Sequence, residues 1–269
     1  MMLVRVHALP TLTSPAALAD QTVVVVDVLR ATTTMLCALQ AGAVAIRPCL
    51  EVEEARALSA SLAEATVLGG ERGGQRIRGF ALGNSPLEYT PETVGGRTVV
   101  MTTTNGTRAL QTCRQAQRVV IGAFVNLSQI AEAIRAAPRI TVLCAGTDQQ
   151  VTREDVLFAG AVVSRLQQSN ASWELNDEAE LAVAAWHQLT GSTAEQPTVW
   201  QPRLLAALRA SRGGRNLVAL GLDADIERAS QVDTVPLLGE LAAHPWRVIL
   251  APALTRAAAT ICDTPSPGE

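Results

Sequence analysis

The sequence predicts an α/β protein in three layers, with helices on both faces of a mainly parallel or mixed sheet, as one body or as two intertwined α/β lobes. Three observations carry that reading. Short β-branched runs alternate with helical patterns over the first 170 residues. The runs are apolar throughout instead of alternating, as strands covered on both faces are. A polar cluster follows the end of several runs in turn.

The first run, Thr22–Asp27, reads as a buried strand, followed by a helix over about Thr33–Ala41 with Gly42 as its stop. Ala43–Pro48 is the next strand and Glu51–Ala63 the next helix. Thr66–Gly70 and Thr98–Thr102 read as strands, the latter leading into a helix at Gly106–Cys113. Gln117–Gly122 and Arg139–Cys144 complete the apolar runs, flanking a helix at Leu127–Ala136 in which Leu127, Ile130, Ala131 and Ile134 hold the spacing of one buried face. A helix at Glu154–Gln168 follows, then a helical region over about Asn170–Ile226 and strand signals at Asp233–Leu237 and Trp246–Leu250. The organisation expected is an α/β core over residues 1–170, a helical segment with closing strands packed on it over 171–262, and a frayed tail, Asp263–Glu269. The stretch Gly69–Thr90 has no period. A loop that long inside a compact domain is usually functional, and Phe80, Leu82, Leu87 and Tyr89 argue for order.

Composition limits the chemistry. With 269 residues, 48% hydrophobic and 17% charged, a net charge of −3 and a pI near 5.7, the chain has no electrostatic footprint for nucleic acid or an acidic membrane. No apolar run reaches membrane-spanning length, and five scattered cysteines without C-x-x-C spacing fit a reduced cytoplasm. High apolar and low aromatic content is compatible with a homodimer. All 22 basic residues are arginine, which removes P-loop and Schiff-base lysines and leaves the side chain that grips oxyanions in a bidentate way. The three histidines lack metal-ligand spacing, no cysteine is followed six residues on by arginine, and G-x-S-x-G, G-x-G-x-x-G and D-x-D at Asp27 are all missing. Hydroxyls, arginines and carboxylates remain, a set of hard oxygen ligands that suits Mg²⁺.

Those groups gather after the runs. Asp27, Arg30 and Thr32 follow the first, and Glu71 and Arg72 the third. Thr103, Thr104, Asn105, Gly106 and Thr107 follow the fourth, and Gly146, Thr147 and then Asp155 the last. If the strands are parallel, all converge on the edge where doubly wound sheets bind ligands and helix N-termini face anions. Caps and surface pairs explain each cluster singly; a shared anion site explains them together.

The motifs DVLRATTT (Asp27–Thr34), GGERGGQRIRGFALGNSPLEYT (Gly69–Thr90), MTTTNGTRA (Met101–Ala109), AGT (Ala145–Thr147), EDVLFAGA (Glu154–Ala161), ND (Asn176–Asp177) and RNLVALGLDADIE with DTVP resemble, in this order, the 2-phosphosulfolactate phosphatases of the ComB type. The chain departs from them in a longer run at Thr190–Pro197 and in Ala229, where the family carries cysteine. The resemblance implies an α/β, Mg²⁺-dependent phosphoric monoester hydrolase. Its substrate would be a small phosphorylated acid, (R)-2-phospho-3-sulfolactate, converted to 3-sulfolactate and phosphate in coenzyme M synthesis. On that reading Asp27 is the first metal ligand, with Glu71 and Asp155 as further candidates. Arg30 and Arg72 neutralise the substrate's other acid groups, and Asn84 and Ser85 reach the ligand from the long loop. A non-catalytic binding module for a sugar phosphate or nucleotide, or an isomerase of phosphorylated acids, would use the same loops.

Overall fold

The protein is seen in a computed structural model that describes residues 2–168, 172–191 and 197–251. Cys262 and the expected tail, Asp263–Glu269, lie outside the described residues. The strands are β1 (Met2–His7), β2 (Thr22–Val26), β3 (Ala45–Cys49), β4 (Thr66–Arg72), β5 (Gln75–Arg76), β6 (Thr98–Thr102), β7 (Arg118–Gly122), β8 (Arg139–Cys144), β9 (Trp173–Leu175), β10 (Gly239–Ala242) and β11 (Arg247–Leu250). The helices are α1 (Ala31–Gln40), α2 (Val52–Ser61), α3 (Pro91–Val94), α4 (Gly106–Thr112), α5 (Leu127–Ile134), α6 (Arg153–Gln167), α7 (Asp177–Thr190), α8 (Pro197–Ala210), α9 (Arg212–Ala219) and α10 (Asp223–Ala229).

All the strands join one sheet in the order β5-β4-β6-β3-β11-β10-β7-β2-β8-β1-β9. Side chains alternate along β2: Val24 and Val26 enter the core shared with Ile130 of α5, Leu157 of α6, Trp186 of α7 and Leu204 of α8. Val23 and Val25 enter the core shared with Met35 of α1 and Leu110 of α4. Farther along the sheet, Val100 of β6 meets Ala55 of α2 and Phe80, while Val99 and Met101 face the α1–α4 side. This is the three-layer α/β/α arrangement that the uninterrupted apolar runs predict. Few aromatic residues are available, and several of them stack where the helices meet. Phe124 lies edge-on to Phe158 at 5.3 Å and parallel to Trp186 at 5.9 Å, and Trp186 meets Trp200 at 5.2 Å.

The sheet is mixed in one informative way. β4, β6 and β3 form one parallel block, and β7, β2, β8, β1 and β9 another. Between them lies the antiparallel hairpin β10–β11, paired antiparallel on both sides. Three antiparallel pairings in a row reverse the polarity of one block against the other, so the strands do not all point to one edge. The segments that follow β2 and β6 nevertheless come together, as the packing of α1 against α4 shows. They meet: a Cβ at Gly106, which opens α4 after β6, would lie 2.7 Å from Oδ2 of Asp27, which ends β2.

Four further points differ from expectation. β1, β9 and the single turn α3 have no counterpart in the sequence reading. The strand before β11 lies at Gly239–Ala242 and not Asp233–Leu237, where the N–H groups of Asp233 and Val235 bond the Phe124 and Val125 carbonyls at 3.0 and 2.8 Å without forming a ladder. α1 begins at Ala31, two residues early. Much of the Gly69–Thr90 loop is an extension of β4 with a short return strand, β5, and Leu82 tied to Leu68 and Gly70 by backbone bonds of 3.1 Å. None of the described helices is long and apolar enough to cross a membrane.

Candidate active site

The turn after β2 is locked by its threonines. Thr32 Oγ1 accepts the Asp27 N–H at 3.0 Å and donates to the Asp27 carbonyl at 2.8 Å. Thr33 Oγ1 donates to the Val28 carbonyl and Thr34 Oγ1 to the Asn84 carbonyl, both at 2.8 Å. The Asp27 carboxylate itself accepts the Ala31 N–H at the start of α1 and faces a cleft of about 390 Å³. That cleft is also lined by Arg30, Glu71, Gly74, Asn84, Thr104, Asn105, Thr147, Asp148 and, from α9, Asn216, Leu217 and Leu220.

Arg30 and Thr104, from the two sheet blocks, thus share one cavity. Nη1 of Arg30 donates to Asp225 Oδ2 at 2.7 Å, an ion pair sealed from solvent, and Nη2 donates to the Gly74 carbonyl at 2.8 Å. Ser85 Oγ donates to the other oxygen of Asp225 at 2.5 Å, so it serves Arg30's partner instead of opening on the cleft. Glu71 accepts the Thr104 N–H at 2.7 Å and the Gly74 N–H at 2.8 Å, joining the α4 turn to the β4–β5 hairpin.

Burial pushes the Asp27 carboxyl up to about 7, helped by the charges of Glu71 and Glu154 and opposed by the Ala31 N–H and Arg30. Two polar atoms near the cleft are buried and unpartnered, Asn84 Oδ1 and Thr104 Oγ1. The site therefore holds an ionisable carboxylate, a second carboxylate beside it, one guanidinium and free oxygens.

Several expected members sit elsewhere. Arg72 turns away because adjacent strand residues face opposite sides. It donates to Thr102 Oγ1 at 2.9 Å and to the carbonyls of Leu50 and Glu71 at 2.8 Å, in a separate depression lined with Thr103 and Arg108. Asp155 is also not in the cleft. Its oxygens accept the Val28 N–H at 2.9 Å and the Gly146 N–H at 3.0 Å, clamping the ends of β2 and β8 together. Burial drives its carboxyl well above the ordinary range. Thr103 and Thr107 bond to each other's backbone at the start of α4, Thr107 Oγ1 donating to the Thr103 carbonyl at 2.8 Å. Gly106 and Gly146 contribute close approach: the first leaves room for Asp27, the second takes φ +65° with no room for a Cβ beside Gln150.

Two residues were not singled out by the sequence reading. Asp225 holds Arg30 from 195 positions away, a distance at which no local pattern reports. Glu154, beside the expected Asp155, is buried with Oε2 unpartnered, and a Cβ at Gly213 would fall 2.2 Å from its Oε1. Burial raises its carboxyl, against hydrogen bonds from its own amide, Ser211, Thr152 and the Gly213 amide at the start of α9. The cysteines offer no rival nucleophile among the described residues. Cys37, Cys49, Cys113 and Cys144 are buried, and burial pushes the thiols of Cys49 and Cys113 up to about 12.

The sequence can be set beside known proteins at this point. A Caldicellulosiruptor saccharolyticus protein named probable 2-phosphosulfolactate phosphatase is 40% identical over 229 residues, 83% of this chain and 90% of the relative. Proteins of the same name from Thermotoga maritima and Synechococcus sp. are 36% identical over 221 residues (81% and 89%) and 39% identical over 222 residues (80% and 86%). The sequence profile of the 2-phosphosulpholactate phosphatases matches residues 7–244, a span that includes every residue of the cleft, and the chain belongs to that family.

Proposed function

We propose that the chain is a phosphoric monoester hydrolase acting on a small phosphorylated acid that also carries carboxylate and sulfonate, (R)-2-phospho-3-sulfolactate, to give 3-sulfolactate and phosphate. The observation that carries this reading is the charge balance of the cleft. Arg30 is matched by Asp225, and Asp148 by Arg212 at 3.0 Å. Asp27 and Glu71 are left without a cationic partner in a cavity meant for an anion. A multiply charged phosphate ester would be repelled there unless a cation came with it.

A divalent cation, Mg²⁺ in our reading, fits this set. Asp27, Glu71 and the orphaned Asn84 Oδ1 are hard oxygen donors, and Mg²⁺ is held by one or two carboxylates with waters and substrate phosphate making up the rest. Among the described residues no three His, Cys, Asp or Glu side chains form a metal site, so the cation would rest on these two carboxylates, the amide oxygen, water and substrate. When bound, the cation supplies charge neutralisation and polarisation of the phosphoryl group. A cation held by Asp27 and Glu71 would favour the ionised form of Asp27 against the burial that lifts it. Arg30, fixed by Asp225 and Gly74, presents its remaining donors to the acid groups of the substrate. The Thr104–Asn105 turn meets the phosphoryl oxygens, and Leu217 and Leu220 cover the cleft on the α9 side, excluding water from unproductive positions.

The test is phosphate release from a panel of small phosphorylated acids, with Mg²⁺ and with chelator. Release that depends on Mg²⁺ and is fastest when the acid carries sulfonate beside carboxylate is the expected result. Binding of the same acids without release of phosphate overturns the hydrolase in favour of a binding module.

A further inference from the structure

A second cavity, about 530 Å³, opens on the opposite side of β3 from α1 and α4, lined by Arg47, Pro48, Glu54, Leu58, Arg114 and Trp246 among others. Its chemistry is unlike that of the cleft. The pairing of Val248 with Ile46 brings Arg47 and Arg247 to opposing positions on neighbouring antiparallel strands, side by side on one face. Like charges so placed repel, and proteins ordinarily separate or neutralise them. Here neither is neutralised: among the described residues Arg47 and Arg247 make no ion pair, and the buried Nε of each has no hydrogen-bond partner. The indole N–H of Trp246 is also buried and unpartnered. A third guanidinium, Arg114, lies 5.0 Å over the Trp246 ring and bonds only the neutral Gln111. The one carboxylate on the wall, Glu54, has Oε2 engaged by the N–H groups of Leu50 and Glu51 at 2.8 and 3.4 Å.

Three guanidiniums and an indole N–H, with three of these donors buried and unmet, constitute a receptor for anionic oxygen. We propose that Arg47, Arg114 and Trp246 on the cavity wall, with Arg247 beside Arg47 on the neighbouring strand, form a second anion site, separate from the cleft, that binds a compact organic or inorganic diphosphate. The guanidinium forks match phosphate oxygens, three positive charges suit the charge of a diphosphate, and Pro48, Leu58 and Trp246 provide an apolar wall for any body the phosphates carry. Ligand binding also removes the repulsion across β3 and β11.

Occupancy is read by tryptophan fluorescence and by thermal melting of the whole chain, with inorganic pyrophosphate, a nucleoside diphosphate and sulfate as separate probes. Saturable quenching by pyrophosphate is expected, lost in Trp246→Phe and retained in Asp27→Asn. Affinity should fall by about tenfold or more in Arg47→Gln and in Arg247→Gln, as for loss of one charge-assisted contact. The Arg247→Gln variant should melt no lower than wild type without anion, yet gain less from a given concentration of pyrophosphate. Tighter binding of the nucleoside diphosphate than of pyrophosphate assigns the apolar wall to a base or sugar; equal binding assigns the site to the phosphates alone. Quenching and melting that do not respond to any diphosphate, or respond equally in wild type and Arg47→Gln, overturn the site.

Discussion

Arg30 and Asp225 touch at 2.7 Å with both side chains sealed, 4% and 2% exposed. The pair fixes the one guanidinium of the cleft from α10, the last described helix of the chain. Asp225→Asn keeps the shape and removes the charge. Breaking a buried pair from one side costs about 3–5 kcal/mol, so the variant is expected to melt lower and to lose turnover together. Asn that leaves the melting temperature and phosphate release both unchanged would show that Arg30 is positioned by Gly74 alone.

Asp27→Asn is predicted to lower phosphate release at least about a hundredfold, roughly 2.7 kcal/mol of transition-state stabilisation, in a protein that still folds. Thr32 and Thr33 hold the turn and Arg30 is paired with Asp225, while Asp27 also accepts the Ala31 N–H at the start of α1, a bond that asparagine preserves. Steady-state release beside a thermal melt decides it. A folded, fully active asparagine variant would move the chemistry to Glu71.

The same substitution has a pH signature in chelator. Asp27 is raised in the fold from 3.8 to about 7, so the fold prefers its neutral form. Its contribution is complete below the unfolded value and is lost as pH rises through the folded one. Wild type should therefore fall behind Asp27→Asn progressively from about pH 4, with the gap levelling off above about pH 7. Added Mg²⁺ should close the gap for wild type only. Melts that run parallel across that range would contradict the burial of an uncompensated charge.

Gly106→Ala tests the meeting of the two sheet blocks. The new methyl would lie 2.5 Å from the Ala31 Cβ and 2.7 Å from Asp27 Oδ2. Overpacking of this kind costs about 1–3 kcal/mol, and the relief available is displacement of Asp27. Turnover should drop more than stability does. Kinetics and melting measured on one preparation would reveal the reverse if the methyl is absorbed elsewhere.

Much of this was legible in the sequence because it is local. The apolar runs and the period of Leu127, Ile130 and Ile134 write the layers directly, and residues just after run ends sit near the cleft. What escaped is set by pairing between distant segments. The strand β1 carries Arg5 and His7, so its apolar pattern is broken, and it is defined by β8 beside it; β9 has three residues and is defined only by β1. Arg72 illustrates a missed local rule: following Glu71 in the same strand, it had to face the other way. Asp155 and Glu154 exchange emphasis because a one-residue step along a helix turns a side chain by about 100°, and only the packing of α9 shows which one faces Gly213.

The hairpin β10–β11 sits in the middle of the sheet yet comes from the end of the described chain. Among the described strands it provides the backbone ladder between the block that bears Asp27 and the block that bears Glu71 and Thr104. During synthesis the earlier segments can collapse as they emerge, but the seam between the blocks waits for residues near 250. A chain interrupted on the ribosome before that point carries both halves of the cleft and no strand to register them. The cleft therefore rests on a pairing that none of its own lining residues makes, and weakening the hairpin should part Asp27 from Glu71 and Thr104 without touching any of the three.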